Sequence, residues 1–151
     1  MKKIFLIILI LLLKNCGYTP IYSSKDSNFK IVNLNANVNN SLTNYIKNSI
    51  NVFSNEDSEK KLNISFNLKE NVSVILRDSK GDPAKNRLTI TVDLSLFDIN
   101  KNLVASNSFS ESFEYNINDN KFNLKQYEKN IKFNLVEQIS QQIIEFLTNV
   151  K

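Results

Sequence analysis

From Phe29 onward the chain alternates, with Val32, Leu34, Ala36 and Val38 on one side and Asn33, Asn35 and Asn37 on the other, the period of a strand with one buried face. Asn39, Asn40 and Ser41 are all N-cap residue types. Behind them Leu42, Tyr45, Ile46, Ile50 and Phe53 recur at three- and four-residue steps, which predicts a helix running to about Ser54. The charged stretch from Asn55 to Lys61 reads as a loop. Alternation returns at Leu62, Ile64, Phe66, Leu68, Val72, Val74 and Leu76, an apolar file broken only by Glu70, with the odd positions polar except Ile75, and a file that long predicts a bulge or bend near Glu70 and Asn71.

Ser79, Gly81, Asp82 and Pro83 signal a turn, and the file resumes at Leu88, Ile90, Val92, Leu94 and Leu96, which predicts a hairpin. A second turn at Asn100 to Asn102 leads into a strand from Leu103 to Tyr115. There Ala105, Phe109, Phe113 and Tyr115 face one way, and Ser106, Ser108, Ser110, Ser112 and Glu114 the other. After the Asn118, Asp119, Asn120 break, Leu124, Tyr127, Ile131, Leu135, Ile139, Ile143 and Phe146 hold helical spacing almost to the end. Phe133 and Ile144 fall on the opposite side of this helix and read as exposed apolar residues, either isolated or resting against a wall.

The pattern therefore predicts an α+β domain over residues 29–151, ordered β-α-β-β-β-α, with both helices covering the apolar face of a four-stranded sheet. A helical crossover sets the first strand parallel to its neighbour, and the remaining strands form an antiparallel meander, so the sheet is mixed. Its other face, rich in Asn, Ser, Thr and Lys, suits water or a polar lumen.

The first fifteen residues do not belong to this pattern. Lys2 and Lys3 precede an unbroken apolar run from Ile4 to Leu13, the layout of a signal peptide; the run is far short of the roughly 20 residues a spanning helix needs. Cys16 follows directly, where a bacterial lipoprotein receives its lipid, and Leu13 sits three residues before it as expected; Lys14 and Asn15 stand where small neutral residues are usual. Gly17, in place of Asp, resembles outer-membrane sorting. Residues 16–28, with Pro20 and a Ser/Asp/Asn cluster, read as a lipidated tether to the periplasmic face of that membrane.

Composition narrows the chemistry. With no histidine and a single cysteine, the chain has no intramolecular disulfide, no usual zinc set, and neither Ser-His-Asp nor Cys-His catalysis. Of the formal charge of +4, Lys2, Lys3 and Lys14 account for three, leaving a near-neutral mature chain that does not point to nucleic acid. Asp93 with Asp98, or Glu111 with Glu114, could suggest the carboxylate pair a glycoside hydrolase uses; on an alternating sheet face such groups are solvated, and no enzyme and no cofactor are expected.

Arg77, Lys80, Lys85 and Arg87 lie within eleven residues around the first hairpin turn and include both arginines; Asp78 and Asp82 offset part of the charge. Arginine's planar fork grips phosphate or carboxylate bidentately, so this cluster suits an anionic ligand; it equally suits a solvated turn that keeps the hairpin soluble.

The opening Cys16, Gly17, Tyr18, Thr19, Pro20, Ile21 and Tyr22, together with the element order to Val150, resembles the alphaproteobacterial members of the lipopolysaccharide-assembly lipoprotein family, LptE. That resemblance implies a plug inside LptD, the outer-membrane β-barrel that inserts lipopolysaccharide. It also implies lipopolysaccharide contact at Arg77, which matches a basic position at the end of the second strand, and more loosely at Lys125. The alternative is an auxiliary periplasmic lipoprotein of a lipid transporter, holding an apolar ligand in a cavity between helices and sheet.

Overall fold

The computed structural model describes residues 28–150. Its strands, β1 (Lys30–Ala36), β2 (Lys61–Arg77), β3 (Pro83–Phe97) and β4 (Leu103–Asn116), lie side by side in chain order; β1 is parallel to β2 and the other pairs are antiparallel. Two helices, α1 (Ser41–Asn51) and α2 (Lys121–Asn149), complete the α+β order expected from the pattern. The segments read as a signal peptide and, apart from Asn28, as a tether, Cys16 included, lie outside the described residues.

Helix α1 starts where its capping chemistry dictates. The Asn40 side chain accepts from the Leu42 and Thr43 amides at 3.0 and 2.9 Å, and Thr43 Oγ1 accepts from the Asn40 amide at 3.0 Å, satisfying donors that a helix N-terminus leaves open. Just before it, Asn37 acts as a substitute strand residue: its side chain accepts from the Leu68 amide at 3.0 Å and donates to the Leu68 carbonyl at 3.4 Å. The helix runs back toward the start of β1, where Ser54 Oγ accepts from the Ile31 amide. Phe53 and Ser54 follow it in turns rather than in the helix.

The core is the space between sheet and helices, filled by Ile46 and Ile50 of α1, Leu62, Ile64, Phe66 and Leu68 of β2, the even-numbered apolar residues of β3, and Ile131, Leu135, Ile139 and Ile143 of α2. Each such fully buried side chain contributes about 1.5–3 kcal/mol of transfer free energy. Helix α2 has two apolar sides rather than one. Phe133 meets Tyr45 of α1 edge-on at 6.3 Å and Ile144 is buried, so both pack inside the fold instead of standing exposed. Val136 and Ser140 are buried too, and the Ser140 hydroxyl donates to the Val136 carbonyl.

Three expectations of strand geometry need correction. Val32 does not share a side with Leu34 and Ala36: the β1–β2 register skips it between Ile31 and Asn33, and the bulge turns it out to solvent, as Val38 is turned out beyond the strand's end. The irregularities of β2 lie between Val74 and Leu76 and between Leu76 and Arg77, not near Glu70, which sits in register opposite Ile90 and ion-pairs with Lys132. Finally, the helices cover only part of the apolar face, because Val72 and Val74 are exposed although they continue the buried file of Leu62 to Leu68.

Candidate anion-binding site

The β2–β3 hairpin projects well beyond β1, while β4 runs beside β3 up to Lys85. Strand β1 ends opposite Phe66, so Asn67 to Arg77 extend about 36 Å past it at a strand's usual rise. The turn is built by Asp78, whose side chain accepts from the Lys80 and Asp82 amides at 2.9 Å each, and by Gly81, whose φ of +88° is strained for any residue with a Cβ. Arg77 Nη1 donates to the Gly81 carbonyl at 2.8 Å, which draws that guanidinium across the turn. Among the described residues the Lys80 ammonium has no ion-pair partner.

Lys85 and Arg87 occupy alternate positions on β3 and so share the helix-free face. Both contact one carboxylate: Glu114 of β4 accepts from Lys85 Nζ and from Arg87 Nη2 at 2.6 Å each. Lys85 first and Arg87 second hold the Glu114 carboxyl down at about 2. Two cations against one anion leave this edge of the hairpin net positive, and all three groups remain solvent-accessible.

Lys125 is elsewhere. It lies early in α2, on the helix side of the sheet, and lines a groove of about 460 Å³ between the start of α1 and α2. Lys129 and Lys132 line it as well, one and two helical turns further on, with Leu42, Phe122 and Phe133 as apolar lining. Lys132 is engaged by Glu70 at 2.5 Å. The five candidate cations thus form a hairpin group of Arg77, Lys80, Lys85 and Arg87, and a separate helix-side position at Lys125. The spacing 125, 129, 132 marks one helical face, and it adds Lys129 and Lys132 to the cations that sequence reasoning selects.

Beside this groove, the Tyr115 hydroxyl donates to Glu128 at 2.5 Å, and burial, reinforced by that carboxylate, raises its pKa. Asn86, next in the same cross-strand row, donates to the Tyr115 oxygen at 3.5 Å, while its own buried carbonyl oxygen has no hydrogen-bond partner among the described residues. The carboxylates weighed as a hydrolytic pair are dispersed. Glu111 faces α2 and accepts from Gln142, whereas Asp93 accepts from Lys69 and Ser108 on the helix-free face and Asp98 accepts from Asn102 in the next turn. Those bonds lower the pKa of Asp93 and of Asp98, the reverse of what a general acid requires. Among the described residues no group of acidic, Cys or His side chains is placed to hold a metal ion.

This architecture is similar to that of two solved bacterial lipoproteins. One is lipoprotein B from Nitrosomonas europaea, described as uncharacterized, with a TM-score of 0.66 at 14% identity over 87% of this chain and 90% of that one. The other is rare lipoprotein B from Shewanella oneidensis, with a TM-score of 0.57 at 12% identity over 80% and 97%. At such identities the likeness concerns the fold. No protein-family model matches the sequence. No curated protein matches it either.

Proposed function

We propose that the chain is a lipoprotein anchored through Cys16 to the periplasmic face of the outer membrane, where it plugs and helps assemble the β-barrel that transports lipopolysaccharide and offers cations to that lipid. The observation that carries the reading is the hairpin. Its cationic tip is held about 36 Å beyond the end of β1 on a sheet whose free face is polar, a shape suited to threading a water-lined lumen and meeting phosphates at its far end. Arg77, Lys80, Lys85 and Arg87 are the contacts assigned to lipid phosphates and acidic sugars, with Lys125, in its own groove, as a further one. The fold, shared with bacterial lipoproteins, supports the same reading. No turnover chemistry is part of it.

The rival reading, an auxiliary lipoprotein enclosing an apolar ligand, needs space between helices and sheet, and side chains such as Ile46, Ile90, Val92 and Ile139 fill that space. The test is affinity purification of the C-terminally tagged chain from detergent-solubilised outer membranes of its host. Stoichiometric recovery of a large heat-modifiable β-barrel is expected. Recovery of the chain alone, or with an inner-membrane transporter, would overturn the proposal.

A further inference from the structure

The four hairpin cations are not equally free. Arg77 is drawn onto the Gly81 carbonyl, and Lys80 has no ion-pair partner among the described residues. Lys85 and Arg87 start about 7 Å apart, two residues along β3, and converge on one point, which Glu114 occupies. Register explains only half of this. Arg87 stands directly opposite Glu114, whereas the residue opposite Lys85 is Asn116. Lys85 nonetheless reaches diagonally to Glu114, so each carboxylate oxygen has its own cation: Oε2 accepts from the Lys85 ammonium and Oε1 from the Arg87 guanidinium, at 2.6 Å each. Two cations bridged through two oxygens of one anion is also how a lysine and an arginine together hold a phosphate group. Nothing else keeps Glu114 there. Among the described residues its carboxylate has no further hydrogen-bond partner, and its side chain is 38% exposed. On the helix-free face of β2, β3 and β4 the other acid is Asp93, well beyond Arg87 along β3 and already bound by Lys69 and Ser108.

We propose that Glu114 is a built-in competitor for the hairpin's ligand: it fills the place between Lys85 and Arg87 that a phosphate monoester takes, so that binding there is an exchange of one anion for another. The inference rests on reading the hairpin as an anion site, and it names the anion. A carboxylate ligand offers the same two oxygens and the same single charge as Glu114, which has the further advantage of being attached to the site, so the exchange gains it nothing. A phosphate monoester offers three terminal oxygens and a charge of about −1.5 to −2 at pH 7. It satisfies both cations with an oxygen to spare, and the displaced Glu114 rotates into water that it already touches. Glu114 thus sets a threshold that simple anions fail and phosphates pass, and it keeps part of the hairpin's charge neutralised while the site is empty.

The composition makes the exchange measurable, because Arg77 and Arg87 are the chain's only arginines. Arginine-selective nitrogen labelling of the full chain in non-ionic detergent gives two guanidinium signals, told apart with Arg77→Lys. The probes are glucose 1-phosphate and glucuronate, a sugar phosphate and a sugar carboxylate, at constant ionic strength. In the parent, glucose 1-phosphate is expected to move the Arg87 signal and, over the same concentrations, to shift the carbon signal of the Glu114 carboxyl toward that of a free glutamate; glucuronate binds more weakly. Glu114→Gln is expected to tighten glucose 1-phosphate about fivefold, the exposed ion pairs no longer having to be given up. Glu114→Ala repeats the comparison should Glu114→Gln unfold more readily than the parent. Unchanged or weaker phosphate binding in both variants would overturn the proposal, as would an unmoved Glu114 carboxyl at saturation, glucuronate binding the parent as tightly as the phosphate, or no binding to any of the three proteins. Failure of this titration while the host's barrel co-purifies strikes the role of Glu114 alone; loss of the barrel while the titration holds strikes the plug and leaves the exchange.

Discussion

Within one strand, β2, the same alternation has two outcomes. Leu62, Ile64, Phe66 and Leu68 are at most 7% exposed, whereas Val72 and Val74, on the same side and in the same period, are 50% and 41% exposed. The difference comes from the helices. Asn37 ends β1 pairing at Leu68, Asn40 caps α1 three residues later, and α1 then runs away from the hairpin, so it covers β2 only up to that level. Helix α2 starts nearer the hairpin and seals the β3 side, which leaves Leu88 fully buried while Val72, its partner across the strands, is exposed. Period two tells which face a residue occupies. Whether that face is covered depends on where the helices begin, and here the uncovered half is the half that carries the cations.

The sharpest way to break this comparison deletes the same atoms in both halves. Val92→Ala, at a fully buried site, is expected to cost about 2 kcal/mol, and Val74→Ala to stay within about 0.5 kcal/mol, by urea unfolding. Similar losses at both would mean that the hairpin half is covered after all. Next in size, Asn40→Ala removes the cap that sets the border and is expected to cost about 1 kcal/mol, with Asn40→Gly costing a few tenths. Both are read from the same unfolding midpoints.

A smaller effect concerns the charged hairpin alone. Glu114 is held near 2 by Lys85 and Arg87, against about 4.3 for an unperturbed glutamate. A carboxyl lowered on folding contributes stability that is fully present above its unfolded pKa and is lost as pH falls through its folded one. The Glu114 contribution is therefore expected to fade between about 4.3 and 2, small because the group is exposed. Carbon-detected titration of the Glu114 carboxyl should give a midpoint near 2, and Lys85→Met with Arg87→Met should return it toward about 4.3. Smallest of all, Lys80→Ala is expected to leave stability within about 0.5 kcal/mol, because among the described residues its ammonium has no ion-pair partner to lose.

Much of the architecture is legible in the sequence. The strand of Leu88 to Leu96 and the split of β4 into a Phe/Tyr side and a Ser side follow directly from alternation, and the helix starting at Asn40 from its cap. The bulges are not legible. Ile75, the one apolar residue in the polar file, is the only mark there, and it does not say which partner is skipped, because a bulge is a property of the register between two strands; Glu70, the more visible irregularity, is accommodated by Lys132 instead. Phe133 and Ile144 escape the pattern for a related reason: periodicity assigns α2 a single stripe, but a helix packed on both a sheet and another helix needs two. Of the candidate site, the hairpin cations can be placed on one turn from spacing alone, while the sharing of Glu114 by Lys85 and Arg87 depends on the β3–β4 register. The lysine row of α2 is readable too, but lysine is so common in this chain that its spacing carries little weight without the groove.

The uncovered hairpin, and not the packed half, is the part proposed to meet lipopolysaccharide. The most direct measurement places a photo-crosslinking residue at Lys80, and as control at Asn51 at the far end of α1, in the full chain in its host, and probes adducts for lipopolysaccharide after irradiation. An adduct from position 80 and none from position 51 is the expected result. An adduct from 51 alone, or none from either while the barrel co-purifies, would contradict it.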